Sequence, residues 1–199
     1  MRAARMDDAA GVVLAGGESR RMGRPKASLL ADAPSGRTLL VDRVDFLAQA
    51  VDPVWVSLPF GAAATAGAIV DGTPSPGPLA AIDAALARLA AVGGLWLLVL
   101  AVDMPNVPLA LLWRLYAARE QGGVALARHP SGRLEPLVSC WHLEARSVVA
   151  RCLAQGERAV RTALAALPTR AVLVRPAEAH WLVNLNTPED WEAWCRGRA

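Results

Sequence analysis

Apolar runs alternate with stretches of helical periodicity from one end of this chain to the other, which restricts the fold to an α/β architecture built on a largely parallel sheet. The most apolar run, Leu95 to Val102, follows Gly93-Gly94 and stops at Asp103. Unbroken hydrophobicity suits a central strand covered on both faces. The run is far shorter than the roughly 20 residues that cross a bilayer, so no membrane span is expected. Further strands are read at Gly11 to Ala15, Val54 to Leu58, Val124 to Arg128, Leu137 to Trp141 and Ala171 to Val174, with a short apolar piece at Ala68 to Val70. Helices are read from a Thr38 cap to about Val51, and at Leu79 to Val92, Leu109 to Arg119, Leu143 to Ala154 and Arg158 to Leu167. The last starts at Thr187-Pro188-Glu189, where threonine caps and proline takes the first turn. Trp191 and Trp194, at i, i+3, share a face expected to dock on the sheet.

With 54% hydrophobic and 20% charged residues, 199 residues can bury enough surface to outweigh ordering entropy. One domain over 1–199 is expected, with residues 1–9 as a loose tail. Asp7 and Asp8 follow Arg2 and Arg5 where a signal peptide would need an apolar core, so a cytoplasmic protein is expected. Three widely spaced cysteines, Cys140, Cys152 and Cys195, are too few for a disulfide framework and are read as thiols. His129, His142 and His180 have no zinc-ligand spacing. Arginines are scattered without interleaved aromatics, so no nucleic-acid surface is expected.

The segment Leu14 to Lys26 leaves the end of the first strand, where open α/β sheets bind ligands. Its glycines let backbone N–H groups approach an anion, and Arg20, Arg21, Arg24 and Lys26 supply a charge density that suits a polyphosphate. Lys26 is the only lysine among 21 basic residues, which marks a position where a compact ammonium has a use. A solvated arginine loop is the plainer reading of the same residues. A P-loop is excluded, because Gly17 and Gly23 enclose five residues and Ala27 follows the lysine. The spacing of a dinucleotide fingerprint is absent too.

Leu14-Ala15-Gly16-Gly17-x-Ser19-x-Arg21-Met22-Gly23-x-x-Lys26 resembles the signature of the molybdenum cofactor guanylyltransferases, the MobA-type branch of small nucleotidyltransferases. The likeness continues in Asp71, Pro76-Gly77-Pro78-Leu79-Ala80, Val102-Asp103-Met104-Pro105 with Pro108, Glu135-Pro136-Leu137, Gly156-Glu157-Arg158 and Asn184-Leu185-Asn186-Thr187-Pro188-Glu189. The resemblance implies a Rossmann-like open sheet of the nucleotide-diphospho-sugar transferase type, with helices on both faces. It implies transfer of GMP from GTP to molybdopterin or molybdenum-molybdopterin, with release of pyrophosphate and delivery of the product to molybdoenzymes or their chaperones.

By the same resemblance, Leu14, Ala15, Gly16, Gly17 and Ser57 would lie near the nucleotide, and Asp71 would hold the nucleoside. Lys26 and Arg21 would neutralise phosphate charge. Asp103 would bind Mg²⁺, since a hard carboxylate at a strand end can hold a cation that bridges phosphate oxygens. Gly77, Pro78, Asn184 and Asn186 would line the pterin side, where asparagine offers both donor and acceptor. Without the resemblance, Asp103 reads sooner as a helix or turn cap than as a metal ligand, and the asparagines sooner as turn residues.

Three departures from the family pattern stand out. Ser57 replaces a more usual asparagine, the loop Ala31 to Arg37 is long, and Ala81 replaces a common glycine. A cytidylyltransferase for the same acceptor is the nearest rival; that branch usually reads Leu-Ala-Ala-Gly, so Gly16 favours GTP. Sugar-phosphate nucleotidylyltransferases tend to be longer and lack the closing asparagine motif. A GTP-binding accessory protein without turnover is the remaining alternative, against which Lys26 and Asp103 stand.

Overall fold

Six strands run parallel through the molecule because each helical crossover returns the chain to the same end of one sheet. The computed structural model describes residues 5–16, 30–32, 36–63, 65, 67–70, 72 and 77–197. At the centre of the sheet, β1 (Ala9–Leu14) pairs with β6 (Trp96–Ala101) in register from Ala9↔Trp96 to Leu14↔Ala101, and every residue of both strands is buried. On one side of this pair lie β4 (Val54–Leu58) and β5 (Ala68–Val70); on the other lie β8 (Leu134–His142), β7 (Val124–Arg128) and β9 (Thr169–Leu173), giving the order β5-β4-β1-β6-β8-β7-β9. Strand β8 alone is reversed among the described residues. A small antiparallel ribbon, β2 (Leu30–Asp32) with β3 (Arg37–Thr38), stands apart from the sheet.

Alternate residues of the central strands enter opposite cores, as the period of two requires. Val13, Leu98 and Leu100 face α1 (Leu39–Leu47), α3 (Leu109–Ala117) and α6 (Pro188–Arg196). Val12, Leu97 and Val99 face α2 (Gly77–Ala91), α4 (Arg146–Ala154) and α5 (Val160–Ala165). Each fully buried leucine contributes about 2 kcal/mol of transfer free energy. The open, mostly parallel sheet with helices on both faces is therefore as expected.

Local chemistry sets the helix starts. Thr38 Oγ1 accepts from the Val41 N–H at 3.3 Å, and Thr187 and Asp190 form a reciprocal capping box before α6. Trp194 is buried against the core with Trp191 5.2 Å away, the docked face the spacing predicts. The chain's end departs from expectation at residues 5–9, which are not loose. Met6 is 2% exposed and β1 already begins at Ala9, so the apolar side chain anchors the stretch despite its charged neighbours. Helix α1 stops at Leu47, although Val51 remains in the core. No described helix is long and apolar enough to cross a membrane.

A 3-10 stretch, Pro176–Leu182, carries the chain from β9 back across the sheet edge. Glu178 anchors it: Oε1 accepts from Arg175 Nε at 2.7 Å, and Oε2 accepts from the Arg175 backbone N–H at 2.9 Å and from Arg114 Nη1 of α3 at 3.0 Å. Hydrogen bonding from Arg175 leads in holding this carboxyl at a pKa of about 2, against an ordinary 4.5. A depressed folded-state pKa contributes stability that is whole above 4.5 and is lost as pH falls through about 2. Denaturant unfolding across pH 6 to 2.5 should therefore show a loss of stability on acidification that Glu178→Gln reduces; an unchanged pH profile in the variant would refute the anchor.

Candidate active site

The chain visits β1, β4 and β5 on one side and then crosses through α2 to β6 on the other, so the order of strands reverses between β1 and β6. At such a switch point the loops leaving the carboxyl ends diverge and open a crevice. Three backbone bonds tie the strand ends together there. Ala15 N–H donates to Ser57 O at 3.0 Å, Val102 N–H to Leu14 O at 3.1 Å, and Leu185 N–H to Asp103 O at 2.8 Å. Leu14, Ala15, Gly16 and Ser57 thus come together at the ends of β1 and β4, with the Ser57 side chain buried.

Asp103 stands just past β6 and lines a cavity of about 390 Å³ together with Pro78, Asn184, Glu135 and Arg161. Asp103, Pro78 and Asn184, expected from the sequence, therefore meet in one place. Asn186 is exposed and absent from the lining; its backbone N–H donates to Asp190 Oδ2 at 2.9 Å in the α6 cap. Gly77 opens α2 beside the cavity at φ +76°, and a Cβ there would come within 3.0 Å of Arg158 O. Both the positive φ and this close approach explain why glycine stands at this position. Gly17, Arg21, Lys26 and Asp71 lie outside the described residues.

The turn that carries Asp103 is held from three directions. Buried Arg43 of α1 donates from Nη1 to Pro105 O at 2.8 Å, while Nε and Nη2 donate to Asp42 Oδ2 at 3.1 and 2.6 Å. Asn106 Oδ1 accepts from Trp194 Nε1 at 2.9 Å, and Asn106 Nδ2 donates to His180 O at 3.3 Å. The third hold is the Leu185 bond to Asp103 itself. None of these clamps is visible as a motif, because each joins residues far apart in sequence.

Glu135 and Arg161 are cavity residues to which sequence reasoning gave no role. Leu126 pairs with Ser139 but Ala127 pairs with Glu135, so four steps along β8 match one along β7. That bulge swings Glu135, Pro136 and Leu137 into the cavity, and Pro136 is tolerated because the ladder is already interrupted. Burial pushes the Glu135 carboxyl up, Arg133 and His129 pull it down, and Asp103 adds to the upward shift.

No described group of three His, Cys, Asp or Glu side chains could cage a metal. Asp103 nevertheless fits a magnesium-type ion, which takes one or two carboxylates and completes its shell with water and substrate phosphates.

Residues 11–176 match the family described as the MobA-like NTP transferase domain. A protein of Opitutus terrae named probable molybdenum cofactor guanylyltransferase is 40% identical over 91% of this chain and 92% of its own length. The fold matches molybdopterin-guanine dinucleotide biosynthesis protein A from Archaeoglobus fulgidus at a TM-score of 0.73 and 23% identity, covering 95% and 98% of the two chains. It also matches a Mycobacterium tuberculosis protein solved in complex with manganese, at a TM-score of 0.65 and 21% identity over 95% and 98%. The family match and the named relatives make this α/β protein a nucleotidyltransferase. The chain belongs to the MobA-like NTP transferase family.

Arg43→Met should remove the bond to Pro105 O and cost about 2 kcal/mol of stability, the usual worth of a hydrogen bond to a charged group. Equilibrium unfolding measures it, and a cost near zero would show that the clamp does not hold the turn.

Proposed function

We propose that this protein transfers GMP from GTP to molybdopterin or its molybdenum form, acting in the cytoplasm as a single domain over the whole chain. The observation that carries this reading is the cavity in which Asp103 and Asn184 meet at the switch point, two motif residues joined through the Leu185–Asp103 backbone bond. The name of the Opitutus terrae relative supports guanylyl rather than cytidylyl transfer, in agreement with Gly16.

In the proposed reaction an oxygen of the acceptor's terminal phosphate attacks the α-phosphorus of GTP. The bond from the α-phosphorus to its bridging oxygen breaks, and pyrophosphate leaves with that electron pair. No covalent enzyme intermediate is needed, so the protein contributes position and charge. Lys26 and Arg21 counter the charge on the α-phosphate and the departing pyrophosphate, together with the amides of Gly16 and Gly17. Leu14, Ala15, Ser57 and Asp71 hold the nucleoside, and Gly77, Pro78, Asn184 and Asn186 serve the pterin side. Asp103 would hold a divalent cation such as Mg²⁺, which would neutralise phosphate charge. The product passes to molybdoenzymes or their chaperones.

Titration with GTP, CTP and ATP in the presence of Mg²⁺, followed by pyrophosphate release on adding molybdopterin, tests the reading. GTP preference with acceptor-dependent release is expected, and Asp103→Ala should abolish that release. CTP preference, or binding without release, would overturn it. Lys26→Arg keeps the charge but not the compact ammonium, so kcat/KM should fall at least tenfold, about 1.4 kcal/mol. Unchanged kinetics would remove any special role from the lysine.

A further inference from the structure

Glu135 is a buried carboxylate at the wall of the cavity, paired with Arg133 alone among the described cations. Its side chain is 10% exposed, and Arg133 Nη2 lies 2.5 Å from Oε1 as an ion pair, yet off the direction a hydrogen bond requires, so this buried oxygen accepts none. A buried polar atom left without a hydrogen bond is costly. The bulge that brings Glu135 into the cavity sacrifices sheet pairing as well. The group is thus held ready for something that enters the cavity.

The charge pattern says what enters. Asp103 and Glu135 line the same cavity and repel, so an anionic phosphate is disfavoured at Glu135. A carboxylate is an acceptor with two parallel sites, matched by a pair of adjacent N–H donors in one plane. Pro136 and Leu137 beside it offer apolar surface to ring faces, and Asn184 offers donor and acceptor together. About 390 Å³ is enough for a bicyclic heterocycle.

We propose that Glu135 is the residue that selects the acceptor, its carboxylate accepting the 2-amino and N3–H hydrogens of a pterin ring seated in this cavity. This assignment rests on the functional reading above. It implies discrimination against a ring with oxygen at position 2, which keeps the N3–H donor but turns a carbonyl toward the second carboxylate oxygen and leaves that acceptor unpaired.

The test is pyrophosphate release with molybdopterin varied at saturating GTP and Mg²⁺, alongside competition by pterin and by lumazine, its 2-oxo analogue. In Glu135→Gln the acceptor KM should rise at least tenfold, with kcat and the KM for GTP within twofold and the thermal midpoint not lowered. Wild-type protein should bind pterin at least tenfold more tightly than lumazine, and the variant should lose that preference. Glu135→Asp, which keeps the acceptor pair on a shorter stem, should retain the preference with a weaker KM. An unchanged acceptor KM in Glu135→Gln, equal binding of pterin and lumazine by the wild type, or a defect cured by raising Mg²⁺ alone would overturn the assignment. Absence of release by the wild-type protein overturns the guanylyltransferase reading itself, whereas wild-type turnover with an unaffected Glu135→Gln overturns only the role of Glu135.

Discussion

The parallel pairing of β1 with β6 is the constraint on which the rest of this molecule depends. Both strands are buried on both faces, so neither tolerates a polar side chain within its length. Polar chemistry is therefore displaced to the strand ends. Because the chain winds one way from β1 and the other way from β6, the two carboxyl ends diverge. A charged group such as Asp103 reaches water and ligand there without leaving the rigid frame. The same displacement applies on β4, where Ser57 is buried at the strand end but its carbonyl still serves the backbone of Ala15.

A carboxylate that must hold position at a strand end needs a stiff turn, and the turn after β6 has little regular structure of its own. Its stiffness is borrowed from three elements. Arg43 reaches from α1, Asn106 reaches to α6 and the 3-10 stretch, and Leu185 docks in the core while donating to Asp103. Glu178 extends the chain of support one step outward by fixing the 3-10 stretch to α3, just before Asn184. The segment Asn184 to Asn186 is thus both an edge of the site and a brace for the opposite edge. Disturbance of α6 or Glu178 would reach Asp103 through this path.

The parts of the fold governed by local chemistry were legible in the sequence. Leu95 to Val102 announced a doubly covered strand, and Thr38 and Thr187-Pro188 announced helix starts, because capping depends on neighbours within a turn. Strand β8 was read too short, at Leu137 to Trp141, because Pro136 looks like a break; its extension to Leu134 depends on pairing with β7 across a bulge. The 3-10 stretch at Pro176–Leu182 was unforeseen, since its anchor lies on α3, far away in sequence. Residues 1–9 are expected as a loose tail, whereas at residues 5–9 the burial of Met6 and Ala9 ties the stretch to the core. In the candidate site, Asp103, Pro78, Asn184 and Glu135 all lie in motifs, but the place of Glu135 in the cavity, like that of Arg161, follows from the topology that brings β8 and α5 to the same opening.

The contrast between the two cavity carboxylates ties stability to function. Asp103 sits just past β6 in a turn whose backbone is held by Leu185 and by Arg43 through Pro105. Glu135 has an ion-pair partner but no hydrogen bond to the oxygen nearest it, and burial raises its pKa. A fold selected for stability alone would place a neutral or apolar residue at that position and leave the β7–β8 ladder unbroken. The bulge and the incompletely satisfied acid occur together, on the strand that is reversed, at the side of the cavity away from the β1 loop. That placement sets the buried Glu135 carboxylate on the reversed strand of the same cavity that Asp103 lines at the end of β6. On the reading proposed above, such an arrangement lets one partner be held by its phosphates and the other be oriented from its non-phosphate end.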